Sequence, residues 1–182
     1  MQDWPVELAP QADLPTQLSE FVYLKHEGTA AGTFSMHGQG GLVTYDPAHT
    51  STPLVLIATF AHELGHYLNG EFAELPPGGA DLVEPATDVT ATFLGFGVFG
   101  ANTAFEFHKN NDGWSSSRLG YITESEWAFD LAIFCALGEH DISVLKPYLK
   151  SHIFDQVKSG TKYLGKQAIL EDILKLAASP EA

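Results

Sequence analysis

Cysteine is nearly absent from this chain of 182 residues: Cys135 stands alone. No intrachain disulfide can form, and a reducing cytoplasm is the expected compartment. Cys135 sits in the run Phe129 to Leu137 and reads as a small core residue. Basic residues are scarce as well, with nine Lys plus Arg against 23 Asp plus Glu, for a net charge of −14. Such a surface repels phosphate backbones and anionic lipid heads, so neither nucleic acid nor a membrane surface is an expected partner. The charge reads first as a solubility device and only second as a preference for basic substrates. The opening residues, Met1 to Pro5, lack the basic start and apolar stretch of a secretory signal. One uncharged run could be mistaken for a membrane span. Val89 to Phe107 carries no charge before Glu106 but holds Thr90, Thr92, Asn102, Thr103 and three glycines. A span needs roughly 20 predominantly apolar residues, so this stretch reads as a buried core helix. No internal repeat or low-complexity tract is present.

What is present is a globular composition, 45% hydrophobic and 18% charged, of a length that fits one domain over residues 1–182. Residues 1–20, with three prolines and little periodicity, read as an irregular arm with a short helix at 14–20. Phe21 to Leu24 and Thr33 to Met36 read as extended. Gly40-Gly41 opens a short strand, Leu42 to Tyr45, closed by Asp46-Pro47. Thr52 is a good N-cap and Pro53 suits the first position of a helix running from Leu54 to Leu68. Almost every residue of that helix is apolar or small, so it is expected to be buried nearly all round, with Asn69-Gly70 as a left-handed C-cap. A loop follows to Asp81, then a second apolar helix from Leu82 or Pro85 to Phe107, and a polar loop from Lys109 to Ser117. Thr123 and Glu126 form a capping box for a helix ending at Gly138. Two amphipathic helices, at about 141–158 and 165–178, complete the chain.

The chemistry concentrates on the first helix, in His62-Glu63-Leu64-Gly65-His66. Residues four apart stack one turn apart on one face, so two imidazoles can reach one ion. Glu63 is rotated to the side, where it can act on a water at that ion. That spacing is the physical content of the His-Glu-x-x-His motif, with zinc as Lewis acid and the glutamate as general base. A buried helix carrying these polar groups must also satisfy them, and a metal does so. A catalytic zinc needs a third protein ligand and an open fourth position. A metzincin would place Gly at position 69 and His at position 72, where this chain has Asn69 and Phe72. A deformylase-type site would need an upstream cysteine, and Cys135 lies far downstream.

Glu84-Pro85-Ala86-Thr87-Asp88 follows 17 residues after His66. With this Glu-x-x-x-Asp the chain resembles the gluzincins, the thermolysin-like and aminopeptidase-like zinc peptidases, over about residues 54–107. The resemblance implies that Glu84 is the third ligand to one zinc ion (Zn2+) per chain and that Asp88 orients His62. Asp88 and His108 are the substitutes for the third position. Pro85 requires Glu84 to sit in the first turn or at the cap of its helix. The resemblance further implies an α+β, predominantly helical fold: a zincin-like core with a small N-terminal sheet, an active-site helix and a ligand helix. Gly120-Tyr121-Ile122 before the next helix is similar to small bacterial zincin-like proteins.

The implied activity is a cytoplasmic, zinc-dependent metallopeptidase acting on a peptide or protein substrate, with Glu63 moving the proton. Tyr121, His108, His140 and Arg118 are candidates for stabilising the oxyanion, and Tyr121 is the catalytic candidate carried forward. Arg118, the only arginine, can hold a substrate carboxylate. His26, His37, His49 and His152 lack partner spacing and read as surface or loop residues. Leu42 to Tyr45 is a candidate edge on which an extended peptide could pair. The alternative is a zinc-binding regulatory or interaction protein with the same fold and little or no peptidase activity. Gly95, Gly97 and Gly100 permit close helix contact within the fold or between chains.

Overall fold

The N-terminal sheet is organised around its glycine-led strand. The computed structural model describes residues 5–11, 31–37, 40–72, 74–110, 113–166 and 169–178, of which 37, 106–110, 113–118, 169, 174 and 176–178 by backbone alone. Strand β3 (Gly40–Tyr45) lies between β1 (Val6–Pro10), which runs parallel to it, and β2 (Gly32–His37), which runs antiparallel. Leu42, Val43 and Thr44 are all buried, as befits a central strand covered on both faces. Two expectations are corrected here. Residues 6–10 form a strand rather than part of an irregular arm, because β3 supplies a ladder that no local pattern reveals. Leu42 to Tyr45 is not an edge, since both its sides are already paired. The helix expected at 14–20 and the extended Phe21–Leu24 lie outside the described residues.

The sheet meets helix α1 (Pro53–Asn69) through aromatic pairs. Phe34 tilts against Tyr67 with ring centroids 5.5 Å apart, and Tyr45 meets Phe60 edge-on at 5.6 Å. Gly41 makes room for the Phe34 ring, whose Cε2 would lie 2.8 Å from an added β-carbon. Helix α1 begins at Pro53 as expected, but Thr52 does not cap it with its side chain; its hydroxyl donates to His49 O instead. Nor is α1 buried all round. Only Thr59, Ala61, Glu63 and Gly65 are fully buried, and Leu54 is exposed. Gly70 is right-handed, with φ −64°, so the helix runs on into a turn rather than a left-handed cap.

The long apolar stretch is not one helix. Helix α2 (Val83–Ala91) passes into a π-helical turn (Thr92–Phe96) broken at Gly95 by φ +93°, and α3 (Gly97–Thr103) follows. Tertiary contact explains the glycines. A β-carbon at Gly97 would lie 2.9 Å from Leu131 Cδ2, and one at Gly100 would collide with the Trp127 ring. Both neighbours belong to α4 (Glu124–Leu137), so these glycines serve close contact within the fold. Residues expected as helix end and polar loop instead form a ribbon, β4 (Phe105–Asn110) against β5 (Gly113–Arg118). Among the described residues no helix is long and apolar enough to cross a membrane.

Helix α4 carries the expected capping box: Thr123 Oγ1 accepts from Glu126 N at 3.3 Å, and Glu126 Oε2 accepts from Thr123 N at 2.6 Å. It packs on α5 (Ser151–Leu164), burying Leu131, Ala132, Ile153 and Val157 in the main core. Cys135 is free and buried there, as expected. Residues 142–145 form only a 3-10 turn capped by Asp141, so α5 starts after Pro147 rather than near 141. Helix α6 (Ile169–Ala178) ends the described chain. Helices dominate, with one small N-terminal sheet and a ribbon, which is an α+β arrangement.

Candidate metal centre

Helices α1 and α2 are drawn together by a glycine facing a threonine. At Gly65 a β-carbon would lie 2.9 Å from Thr87 Cγ2 and 3.0 Å from Thr87 O, so only glycine allows this approach. Asn69 strengthens the junction: its Nδ2 donates to Thr87 Oγ1 at 3.2 Å, and its Oδ1 accepts from Thr90 Oγ1 at 2.9 Å. This approach puts the first turn of α2 over His62 and His66. Pro85 is harmless there, because first-turn N–H groups have no partner within the helix.

Three donor atoms converge. His62 Nε2 and His66 Nε2 are 3.1 Å apart, and Glu84 Oε2 lies 3.2 Å from each. Donors bound at about 2.0–2.1 Å to one tetrahedral cation lie roughly 3.3 Å from one another, so the spacing suits a single small ion. Among the described residues, His62, His66 and Glu84 are the group of three whose ligand atoms are close enough to share a metal.

The outer nitrogens are held as well. His62 Nδ1 donates to Asp88 Oδ1 at 2.8 Å, which fixes the tautomer and leaves Nε2 to face the other donors. Glu84 and Asp88, one turn apart on α2, thus engage opposite nitrogens of one imidazole. Thr87 Oγ1 donates to Val83 O at 2.9 Å and lies 3.5 Å from His66 Nδ1, a longer and weaker support for the second ring. Asp88 is almost wholly buried, and its other oxygen accepts from Tyr121 N at 2.6 Å and Ile122 N at 3.1 Å.

Charge in the cluster is strongly biased. Burial works against a charged His62, but hydrogen bonds to Asp88 and Glu84 outweigh it and lift its pKa to about 10. Burial likewise pushes the Glu84 carboxyl up, and the two imidazoles overcome it and hold the pKa at about 2. The metal-free cluster therefore holds a proton where a cation would sit. Glu63 is buried beside it, its pKa raised by burial and partly restored by the nearby imidazoles. The bare backbone of Gly32 lies against it: a β-carbon there would come 3.1 Å from Glu63 Oε1.

Tyr121 stacks on His62 with ring centroids 5.5 Å apart and planes inclined by 19°. Burial and the surrounding carboxylates raise its phenol pKa, which keeps the hydroxyl protonated. The remaining candidates fare differently. Arg118 closes β5 opposite Phe105, and His108 pairs with Ser115 within the ribbon; their side chains lie outside what is described. His140 tilts against Phe134, and no described contact joins it to the cluster. His152 pairs with Glu124 on the surface, as a residue without metal-ligand spacing should.

Thr87, Asn69 and Gly120 were not among the expected site residues. For the first two a signal existed. Asn69 follows His66 by one turn, and Thr87 and Thr90 repeat at three on α2, so both belong to the facing stripes. Gly120, noted only within Gly120-Tyr121-Ile122, acts through its left-handed backbone, which no spacing reveals. No family model matches the chain, and no curated protein or solved structure matches it.

Proposed function

We propose that this protein is a zinc-dependent hydrolase, a metallopeptidase of gluzincin type with a zincin-like core, cleaving peptide bonds in a peptide or protein substrate. The observation that carries the reading is the meeting of His62 Nε2, His66 Nε2 and Glu84 Oε2 within 3.1–3.2 Å, with Glu63 buried alongside. Two imidazoles and one carboxylate are a donor set suited to zinc, and three protein ligands leave a fourth position for chemistry. When bound, zinc supplies Lewis-acid polarisation of a water and of the substrate carbonyl. Glu63 takes the proton on its carboxylate and returns it to the departing amine; its raised pKa brings it nearer the value a general base needs at neutral pH. Asp88 keeps His62 in the ligating tautomer. Tyr121, protonated and beside His62, donates its phenolic O–H to the oxyanion.

The test has two parts. Metal analysis of the purified protein should find close to one zinc per chain, and none taken up on titration would end the proposal. Glu63→Gln should keep the zinc and lose cleavage of unfolded protein or of a mixed peptide library read by mass spectrometry. Hydrolysis at the wild-type rate would remove Glu63 from its role. Zinc without turnover in the wild type would favour the alternative, a regulatory or interaction protein built on the same site.

A further inference from the structure

Asp88 divides its two oxygens between two tasks. Oδ1 accepts from His62 Nδ1 at 2.8 Å, whereas Oδ2 accepts from the successive backbone N–H groups of Tyr121 and Ile122 at 2.6 and 3.1 Å. Two consecutive N–H groups can converge on one oxygen because the residue before them is left-handed: Gly120 has φ +84°. Space demands glycine as well, since a β-carbon at this position would lie 3.0 Å from Asp88 Oδ2. The turn so held delivers the Tyr121 ring to the face of His62, the planes inclined by 19°. Ile122, directly after it, is buried in the main core and anchors the turn from the other side.

We infer that Gly120 is a positioning residue of the metal centre, seating the 119–122 turn on Asp88 so that a single carboxylate sets both the orientation of His62 and the place of Tyr121. This rests on the metal-centre reading above. Only a carboxylate can do both, because it has an acceptor on each oxygen, whereas an amide has one acceptor and one donor. The two ends are therefore coupled. Metal on His62 fixes the imidazole, the imidazole fixes Asp88, and Asp88 fixes the backbone that carries Tyr121.

Amide hydrogen exchange on the wild-type protein with and without zinc reads this coupling directly. The Tyr121 and Ile122 amides should exchange at least about tenfold more slowly with zinc, over and above any slowing of the Val157 amide in the core of α5, which reports the global stabilisation that zinc brings. Gly120→Ala should weaken zinc affinity by about 10- to 100-fold, the range typical of losing an outer partner of a ligand. The visible spectrum of its cobalt-substituted form should shift. Gly120→Asn accepts the left-handed backbone but keeps the intruding β-carbon. It should regain folding stability and still bind zinc weakly. Exchange at Tyr121 and Ile122 that ignores zinc would overturn the inference, even if neither variant folds. So would a folded Gly120→Ala with wild-type affinity and an unshifted cobalt spectrum. A wild type that takes up no zinc at all would remove the metal centre itself and this inference with it, an outcome distinct from zinc binding without an amide response.

Discussion

Replacing Asp88 by Asn changes one oxygen for an NH2 group and leaves the volume alone. The native carboxylate accepts three hydrogen bonds, from His62 Nδ1, Tyr121 N and Ile122 N, at 2.8, 2.6 and 3.1 Å. Asparagine has a single acceptor oxygen. If that oxygen faces His62, the amide NH2 points at the backbone N–H groups of Tyr121 and Ile122. If it faces them, the NH2 meets His62 Nδ1–H. Either way donors confront donors in a place where Asp88 is 1% exposed and water cannot intervene. An unsatisfied buried group costs about 1–3 kcal/mol. Whichever side is lost, His62 is held less well, and outer-partner substitutions typically weaken metal binding by about 10- to 100-fold. The expected results are a destabilisation of about 1–3 kcal/mol in the metal-free protein by urea denaturation, and a zinc dissociation constant raised by about one to two decades in competition with a chromophoric chelator. Unchanged affinity in a folded Asp88→Asn would show that Asp88 does not orient the ligand, and would refute the reasoning.

Three further outcomes follow from the same geometry. The pKa of His62 is raised from 6.5 to about 10, so in the metal-free protein its contribution to stability is complete below about pH 6.5 and drains away as pH rises toward 10; Glu84, lowered from 4.5 to about 2, contributes above about pH 4.5 and fails as pH falls toward 2. Thermal midpoints across this range should trace both losses, zinc should remove the alkaline one because the bound imidazole has already given up its proton, and a flat alkaline limb would count against the charged cluster. Gly65→Ala should wedge α1 from α2 against Thr87, costing about 1–3 kcal/mol in urea denaturation and weakening zinc binding; an unchanged midpoint would mean the helices are not in close contact. Thr123→Ala removes the α4 capping box and should cost about 1 kcal/mol while leaving zinc affinity alone, so an affinity change would reveal coupling from the cap to the site.

The features that were readable in advance are those whose physics is local. His62 and His66 share a helix face because the helix repeats every 3.6 residues, and Glu84 and Asp88 follow the same rule on α2. Thr123 and Glu126 cap α4 because their side chains reach each other's backbone within a single turn. Pro85 placed Glu84 in the first turn for a purely stereochemical reason, and there it stands. The ribbon of 105–110 and 113–118 was expected as a helix end and a polar loop, because its polar, serine-rich run hides the alternation of a strand.

Other features belong to the tertiary structure alone. Val6 to Pro10 become a strand only because β3 offers a parallel partner more than 30 positions away. The apolar stretch from 83 breaks at Gly95 and bends so that Gly97 and Gly100 can admit Leu131 and Trp127 of α4, a demand that no window of sequence contains. Above all, two histidines and one glutamate were legible as donors, but not the 3.1–3.2 Å triangle they form, nor the second oxygen of Asp88 and the turn at Gly120 that holds it. Spacing along one helix is set by the helix itself. The distance between two helices, and the backbone groups that meet a buried carboxylate, are set by packing, and packing is a property of the whole chain.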